Sequence, residues 1–192
     1  MKIGRDSIVI VTGASRGIGR ETALAFAKKG AKVVLASRNI ARLEELSKDI
    51  QAAGSEALIV PCDVSIEEEC KQMISKTIDR FGRIDVLVNN AGYGHYAAIE
   101  NLATEDLQKI FLTNLYGAIW CTRSAIPHMK SRHQGHIVNV STVISKRSIP
   151  YMTAYCMTKF ALNGFDEGLR LEVRPFGIGV TLICPGLTAT DF

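Results

Sequence analysis

The chain has no Cys-x-x-Cys pair, no low-complexity tract, no internal repeat and no apolar run long enough to span a membrane. The first two absences weigh against a zinc ribbon, a thioredoxin-like redox motif and a disordered interaction segment. Charge is not lopsided either: the formal net charge is +4. The basic residues are scattered, and the strongest local cluster, "PHMKSRHQGH", lacks aromatic interleaving. That gives a nucleic-acid role little support. Of the four histidines, His128, His133 and His136 fall together in a polar turn before a strand, with no other ligand type placed beside them, so no metal site is expected. The apolar stretch of "MKIGRDSIVIV" is too short for a signal peptide. The five cysteines are odd in number and sit inside apolar segments, as buried reduced thiols of a cytoplasmic protein do.

The 192 residues, 47% hydrophobic and 22% charged, suffice for one domain with a sizeable core. Strand and helix patterns alternate along them. Ile8–Val11 are all Ile or Val, suited to a buried strand. "RETALAFAKKG" then carries Ala23, Phe26 and Ala27 at helical spacing and ends at Gly30. "AKVVLAS" is a second strand, 40–53 a helix, and "EALIVPCDV" a third strand. Ser65 and Glu68 form a capping box for a helix running to Arg80. "IDVLVNNAG" is a fourth strand with a glycine turn, 104–129 a long helix, "HIVNVST" a fifth strand, 153–173 a helix and "IGVTLICPG" a sixth strand. Short, nearly all-apolar strands separated by helices imply an α/β, doubly wound parallel sheet, Rossmann-like, in three layers.

Between the first strand and the first helix, "VTGASRGIGR" places Gly13, Gly17 and Gly19. In a doubly wound sheet ligands bind beyond the C-terminal strand ends, where a glycine turn lets a pyrophosphate approach the backbone and the helix N-terminus. The turn reads as a phosphate cradle. The second strand ends in Ser37 followed by Arg38, where NAD-binding versions carry an acidic residue. Arg38 and Arg16 therefore favour a ribose 2′-phosphate, and the expected cofactor is NADP(H) in preference to NAD(H). Asp63, at the tip of the third strand, is read either as an acceptor for an adenine amino group or as a turn residue at a helix entry. Tyr93, His95 and Tyr96, just after "NNAG", are candidates for substrate contact or plain loop aromatics.

"TAYCMTKF" sets Tyr155 and Lys159 four apart, on one helical face. A neighbouring ammonium favours a phenolate and is expected to bring the tyrosine toward working pH as a general acid/base.

Taken together, "TGASRGIG" at 12–19, "NNAG" at 89–92, Asn114 in "TNLYG", "IVNVST", "YCMTK" at 155–159 and "PGLTAT" at 185–190 resemble the short-chain dehydrogenase/reductase family, single-domain branch. The resemblance implies hydride transfer between a nicotinamide cofactor and a small carbonyl or alcohol substrate. By it, Tyr155 is the acid/base, Lys159 binds the nicotinamide ribose, and Asn114 holds a water in a proton relay. The implied cofactor site comprises Gly13, Ser15, Arg16, Gly17, Ile18, Gly19, Ser37, Arg38, Asp63, Val64, Asn90, Ala91, Gly92, Tyr155, Lys159, Pro185, Gly186 and Thr188.

Two departures from the family pattern stand out. The usual serine thirteen residues before the tyrosine is Thr142, beside Ser141. Threonine keeps the hydroxyl; Ser141 is the fallback if the loop shifts by one, although in a strand it should face the other side. Family members also continue past "PG…T" with a substrate-covering segment and a seventh strand, so the expectation is a truncated chain whose last strand is missing. Such a chain leaves three readings open: an active oxidoreductase, an inactive dinucleotide-binding or regulatory protein, or a misfolding-prone fragment with no function of its own. The two long helices offer a surface for self-association.

Overall fold

The computed structural model describes residues 4–186. Its elements are β1 (Ile8–Thr12), α1 (Gly17–Lys28), β2 (Lys32–Ser37), α2 (Ile40–Ala52), β3 (Ala57–Pro61), α3 (Glu67–Phe81), β4 (Val86–Asn89), α4 (Thr104–Phe111), α5 (Gly117–Ser131), β5 (Gly135–Val140), α6 (Thr153–Val173) and β6 (Ile178–Ile183). The strands form one sheet in the order β3-β2-β1-β4-β5-β6, and every pairing is parallel. The fold is the expected α/β doubly wound sheet.

The alternation of β1 shows how the layers form. Ile8 and Ile10 point to the face covered by α3, α5 and α6, with Met73, Met129 and Val173 among their buried neighbours. Val9 and Val11 point to the other face, against Ala23 and Ala27 of α1 and Leu43, Leu46 and Ile50 of α2. Each fully buried Val, Leu or Ile contributes about 1.5–3 kcal/mol by transfer from water. Both faces being covered explains why the strands read as apolar runs rather than alternations.

The chain winds outward from β1 to β3 and then returns to β4 on the other side of β1. The crevice beyond the C-terminal ends of β1 and β4 is the switch point where such sheets bind ligands.

Three local expectations are corrected. Ser65 and Glu68 do not cap α3: Ile66 is the N-cap and has no side-chain bond. Instead the Ser65 hydroxyl donates to Asp63 Oδ1 at 2.7 Å, and the Asp63 backbone N–H donates to Glu69 Oε2 at 2.7 Å. The short Asp63 side chain has captured the serine for a local turn, so the helix starts later. The long helix after residue 104 is divided, because Leu112–Tyr116 wind as a π-helical turn between α4 and α5. Such turns shift the register of the side chains they carry, and here the turn carries Asn114. Finally, α1 begins at Gly17, inside the glycine stretch.

Candidate active site

Gly13 has φ +65°, which a side chain resists, and a Cβ there would lie 2.8 Å from the Ala91 backbone. A Cβ on Gly19 would collide with the Gly13 carbonyl. These two glycines let the turn after β1, the start of α1 and the segment after β4 pack without side chains between them. The Asn90 amide braces the arrangement, donating to the Thr12 carbonyl at 3.0 Å and to the Gly13 carbonyl at 3.2 Å. Thr12 Oγ1 accepts from the backbone N–H groups of Asn90 and Ala91. Thr12 was not singled out in the sequence; its polarity at the end of an otherwise apolar strand was the available signal.

The first turn of α1 has no side-chain cap and no acidic residue. Its N–H groups and positive dipole end therefore suit an anion. Ser15, Arg16 and Gly17 line a pocket of about 220 Å³ there, together with Arg20, Arg42 and Glu45. A second pocket of about 260 Å³ is lined by Arg38, Ser65, Tyr93, Lys109, Leu112 and Thr113. Arg16 and Arg38 thus stand in different pockets. Arg42 and Lys109, missed in the sequence, add a cation to each; both sit on ordinary-looking helix turns and carry no motif. The residues present fit a dinucleotide phosphate, with a backbone cradle and flanking guanidiniums.

Arg38 lies 3.5 Å from Asp63 Oδ2. Burial raises the Asp63 carboxyl, but hydrogen bonds from Ser65 and the Arg38 guanidinium outweigh it and hold the group below the usual carboxylate range. Asp63 also anchors its own turn through the Ser65 N–H at 3.0 Å. The Ser37 hydroxyl accepts from the Asn39 N–H at 3.1 Å, shaping the entry to α2. Val64 is buried beneath this corner, and Ile18 lies in the first turn of α1.

At the other end of the crevice, α6 presents Tyr155 and Lys159. Both are nearly inaccessible, at 6% and 4% exposure. Lys159 Nζ donates to the Val140 carbonyl at 2.8 Å and stands 5.8 Å from the centre of the Tyr155 ring. Burial draws the Lys159 ammonium down to about 8. Tyr155 moves the opposite way from the expectation: burial pushes its phenol up, and a hydrogen bond with the Thr142 side chain offsets this only partly. The lysine's head is turned to a backbone carbonyl, and Tyr155 is buried in an apolar cluster with Ile110 and Ala154, against which Phe111, Ile144 and Met152 pack, so burial disfavours its charged form.

Thr142 is therefore the hydroxyl beside Tyr155. Ser141 is buried and directed elsewhere, donating to Asn163 Oδ1 at 2.8 Å.

Asn114, 1% exposed, has its side-chain amide committed to the protein. Oδ1 accepts from the Tyr93 N–H at 3.0 Å, and Nδ2 donates to the Tyr93 carbonyl at 2.9 Å and to Thr158 Oγ1 at 3.3 Å. The amide itself thus clamps the loop after β4. Gly92 lies against both Asn114 and Lys159. Beyond it, Tyr96 is exposed and its ring centre is 5.2 Å from that of Tyr151. The Pro185 carbonyl accepts from Val143 N–H at 3.1 Å, next to Gly186. Thr188 lies outside the described residues. Among the described residues no group of His, Cys, Asp and Glu is arranged to hold a metal, and no helix is long and apolar enough to cross a membrane.

Comparison with known proteins identifies the family and the fold. The sequence model of the short chain dehydrogenase family matches residues 7–192. The uncharacterized oxidoreductase YxnA of Bacillus subtilis is 37% identical over 98% of this chain, which spans 54% of that relative's length. The crystal structure of NAD+-bound xylitol dehydrogenase superposes with a TM-score of 0.93 at 32% identity, over 96% of this chain and 72% of that one. A metagenomic short-chain oxidoreductase in complex with NADP also gives a TM-score of 0.93 at 32% identity, over 97% of this chain and 85% of that one. With the family sequence model matched over nearly its whole length, the chain belongs to the short-chain dehydrogenase/reductase family of enzymes.

Proposed function

We propose that this chain carries an NADP(H)-dependent oxidoreductase activity that interconverts a small carbonyl compound and its alcohol, with Tyr155 as the acid/base. The observation that supports it most directly is the placement of the Thr142 hydroxyl, the Tyr155 phenol and Lys159 together under an apolar cover. A bound nicotinamide would supply the hydride. The chain's own residues would do the rest. The Gly13–Gly19 turn and the first turn of α1 would hold the pyrophosphate, and Lys159 would meet the nicotinamide ribose. The Thr142 hydroxyl would hold the substrate oxygen beside the phenol. Because burial keeps Tyr155 protonated, the residue is poised to give its proton to that oxygen as negative charge grows there, which is the acid role of carbonyl reduction.

Arg38 in one pocket and Arg16 with Arg42 in the other support NADP(H) over NAD(H), since guanidiniums can bind a 2′-phosphate where an acidic residue would repel it. We read residues 1–192 as one dinucleotide-binding unit. Four buried cysteines and the half-buried Cys184, all free, fit a reducing cytoplasmic setting. Self-association is proposed through α6, where exposed Met157, Phe160 and Leu171 fall on one stripe with Gly164 and Gly168. Among the described residues nothing lies within 4 Å of a Cβ built on either glycine, so a second copy can approach closely.

The test of the activity is Tyr155→Phe, which keeps the ring and removes the ionisable oxygen. It should abolish NADPH-dependent reduction of a panel of aldehydes and ketones while the circular dichroism spectrum and NADPH affinity stay as in the wild type. Wild-type turnover that survives in Tyr155→Phe would remove the residue from the reaction.

A further inference from the structure

Thr142 sits in a short turn, Val143–Ser145 following directly, and that turn is not held by its backbone alone. Both polar atoms of the Asn163 side chain are spent on it. Oδ1 accepts from the Ser141 hydroxyl at 2.8 Å, on one side of Thr142. Nδ2 donates to Ser145 Oγ at 2.9 Å and to the Ser145 carbonyl at 3.2 Å, on the other side. The Ser145 hydroxyl then donates back to the Thr142 carbonyl at 2.6 Å. Ser141 and Ser145 are 4% and 1% exposed, so these bonds are shielded from competing water.

Asn163 also has a telling address. It lies four residues after Lys159 and eight after Tyr155, on the same face of α6. One rigid helix therefore carries the phenol, the lysine and the clamp that fixes the turn bearing Thr142. The backbone ties run elsewhere, to the other side of the turn: Ser141 N–H donates to the Ile183 carbonyl at 2.7 Å and Val143 N–H to the Pro185 carbonyl at 3.1 Å. Beside the Thr142–Tyr155 bond itself, the Asn163 amide references both flanks of the turn to the helix of Tyr155 through shielded side-chain bonds.

We propose that Asn163 is a positioning residue, which sets the distance between the Thr142 hydroxyl and the Tyr155 phenol by bridging Ser141 and Ser145. The proposal rests on the reading of Thr142 and Tyr155 given above. It follows from the tolerance of such sites, where a displacement of about 1 Å costs on the order of a hundredfold in rate. A merely structural asparagine would loosen the fold without touching the tyrosine's titration. A positioning asparagine would act on the rate, through Thr142, and leave cofactor binding alone.

The experiment compares wild type, Asn163→Ala, Thr142→Val and the double variant, using NADPH and 4-nitrobenzaldehyde as the probe substrate. Asn163→Ala should lower kcat at least tenfold with the KM for NADPH within twofold. The basic limb of its pH–rate profile should move upward, toward that of Thr142→Val, because the threonine bond partly offsets the upward push of burial on the phenol. In the Thr142→Val background, Asn163→Ala should change kcat less than twofold. Asn163→Asp keeps the acceptor for Ser141 and loses the donors to Ser145, and should fall between. A kcat for Asn163→Ala within twofold of wild type, or losses that multiply in the double variant, would overturn the clamp. If Thr142→Val leaves kcat intact or the probe is not reduced, the reading beneath falls instead. The clamp is then decided by amide hydrogen exchange over 141–146, where an Asn163→Ala rate within twofold of wild type refutes it and a tenfold rise upholds it.

Discussion

The Arg38 guanidinium stands 3.5 Å from the Asp63 carboxylate, so the cation at the end of β2 already faces a partner of opposite sign. With 78% of the Arg38 side chain exposed, that pair is weak and easily exchanged for a phosphate. NADPH should therefore bind at least tenfold more tightly than NADH, about 1.4 kcal/mol, in calorimetric titration. Arg38→Asp should abolish or reverse the preference. Asp63→Asn removes the competing carboxylate and should widen the NADPH:NADH ratio by roughly threefold, about 0.65 kcal/mol. Equal affinities in the wild type would rule out the 2′-phosphate reading of this corner.

Thr142→Val keeps the shape of the side chain and deletes the hydroxyl beside Tyr155. Turnover should drop by about 100- to 1000-fold, the range for losing a group that holds developing charge, while NADPH affinity changes little. Thr142→Ser should keep most of the activity. Ser141→Ala should cost less than Thr142→Val, since that hydroxyl faces Asn163 rather than the phenol. The reverse order in a steady-state assay would place the substrate oxygen at Ser141.

Much of this was legible in the sequence, for physical reasons. The apolar runs at Ile8–Thr12 and Val86–Asn89 announce strands buried on both faces, and Gly13 announces a turn that no side chain fits. The Tyr155–Lys159 pair follows from helical spacing alone. Other features depend on contacts distant in sequence. The commitment of Asn114 to Tyr93 arises where the π-helical turn meets the loop after β4, which no local pattern encodes. The upward push on Tyr155 comes from the apolar cluster assembled by α4, α6 and the 142–152 loop. Charge spacing alone pointed the other way. Arg42 and Asn163 look like ordinary helix residues until the elements opposite them are in place.

Asp85 supplies an acid-sensitive lock at the opposite end of the sheet. Its carboxylate, 1% exposed, accepts from the Ile8 N–H at 2.8 Å, from Arg83 at 2.9 Å and from Arg132 at 3.1 Å. Burial raises this carboxyl, but the bonds from Arg83, Ile8 and Arg132 prevail and leave it below its ordinary value. A depressed carboxylate contributes stability above its unfolded pKa of about 3.9, and that stability is lost as pH falls through the folded value. Asp85→Asn should therefore cost on the order of 2–3 kcal/mol at pH 7 in urea denaturation, both arginines keeping some solvent contact. The gap to wild type should narrow as pH falls below about 3.9 and on through the lowered folded value. A gap that persists unchanged into acid would mean that packing, not charge, is what the substitution removes.

Lys159 carries the clearest conflict between stability and activity. Burial brings its ammonium down to about 8, against about 10.4 for a free lysine. The folded chain thus resists holding this charge, and below pH 8 the penalty is present in full. Between pH 8 and about 10.4 the unfolded chain binds more protons than the folded one, so this group makes stability rise with pH across that window. Lys159→Met keeps the length of the side chain and removes the charge, although it leaves the Val140 carbonyl without its 2.8 Å donor. The first effect is larger than the second, so Lys159→Met should be more stable than wild type at pH 7 by about 1–2 kcal/mol. Its advantage should shrink as pH rises from 8 to 10, because the wild-type lysine then loses its charge. The same variant should reduce no aldehyde or ketone at a measurable rate, as it deletes the group proposed to meet the nicotinamide ribose beside Tyr155. Paired urea titrations at pH 7, 8.5 and 10 measure the trend. A Lys159→Met chain that is less stable than wild type at pH 7, with a deficit independent of pH, would show that the ammonium is well accommodated in its buried site.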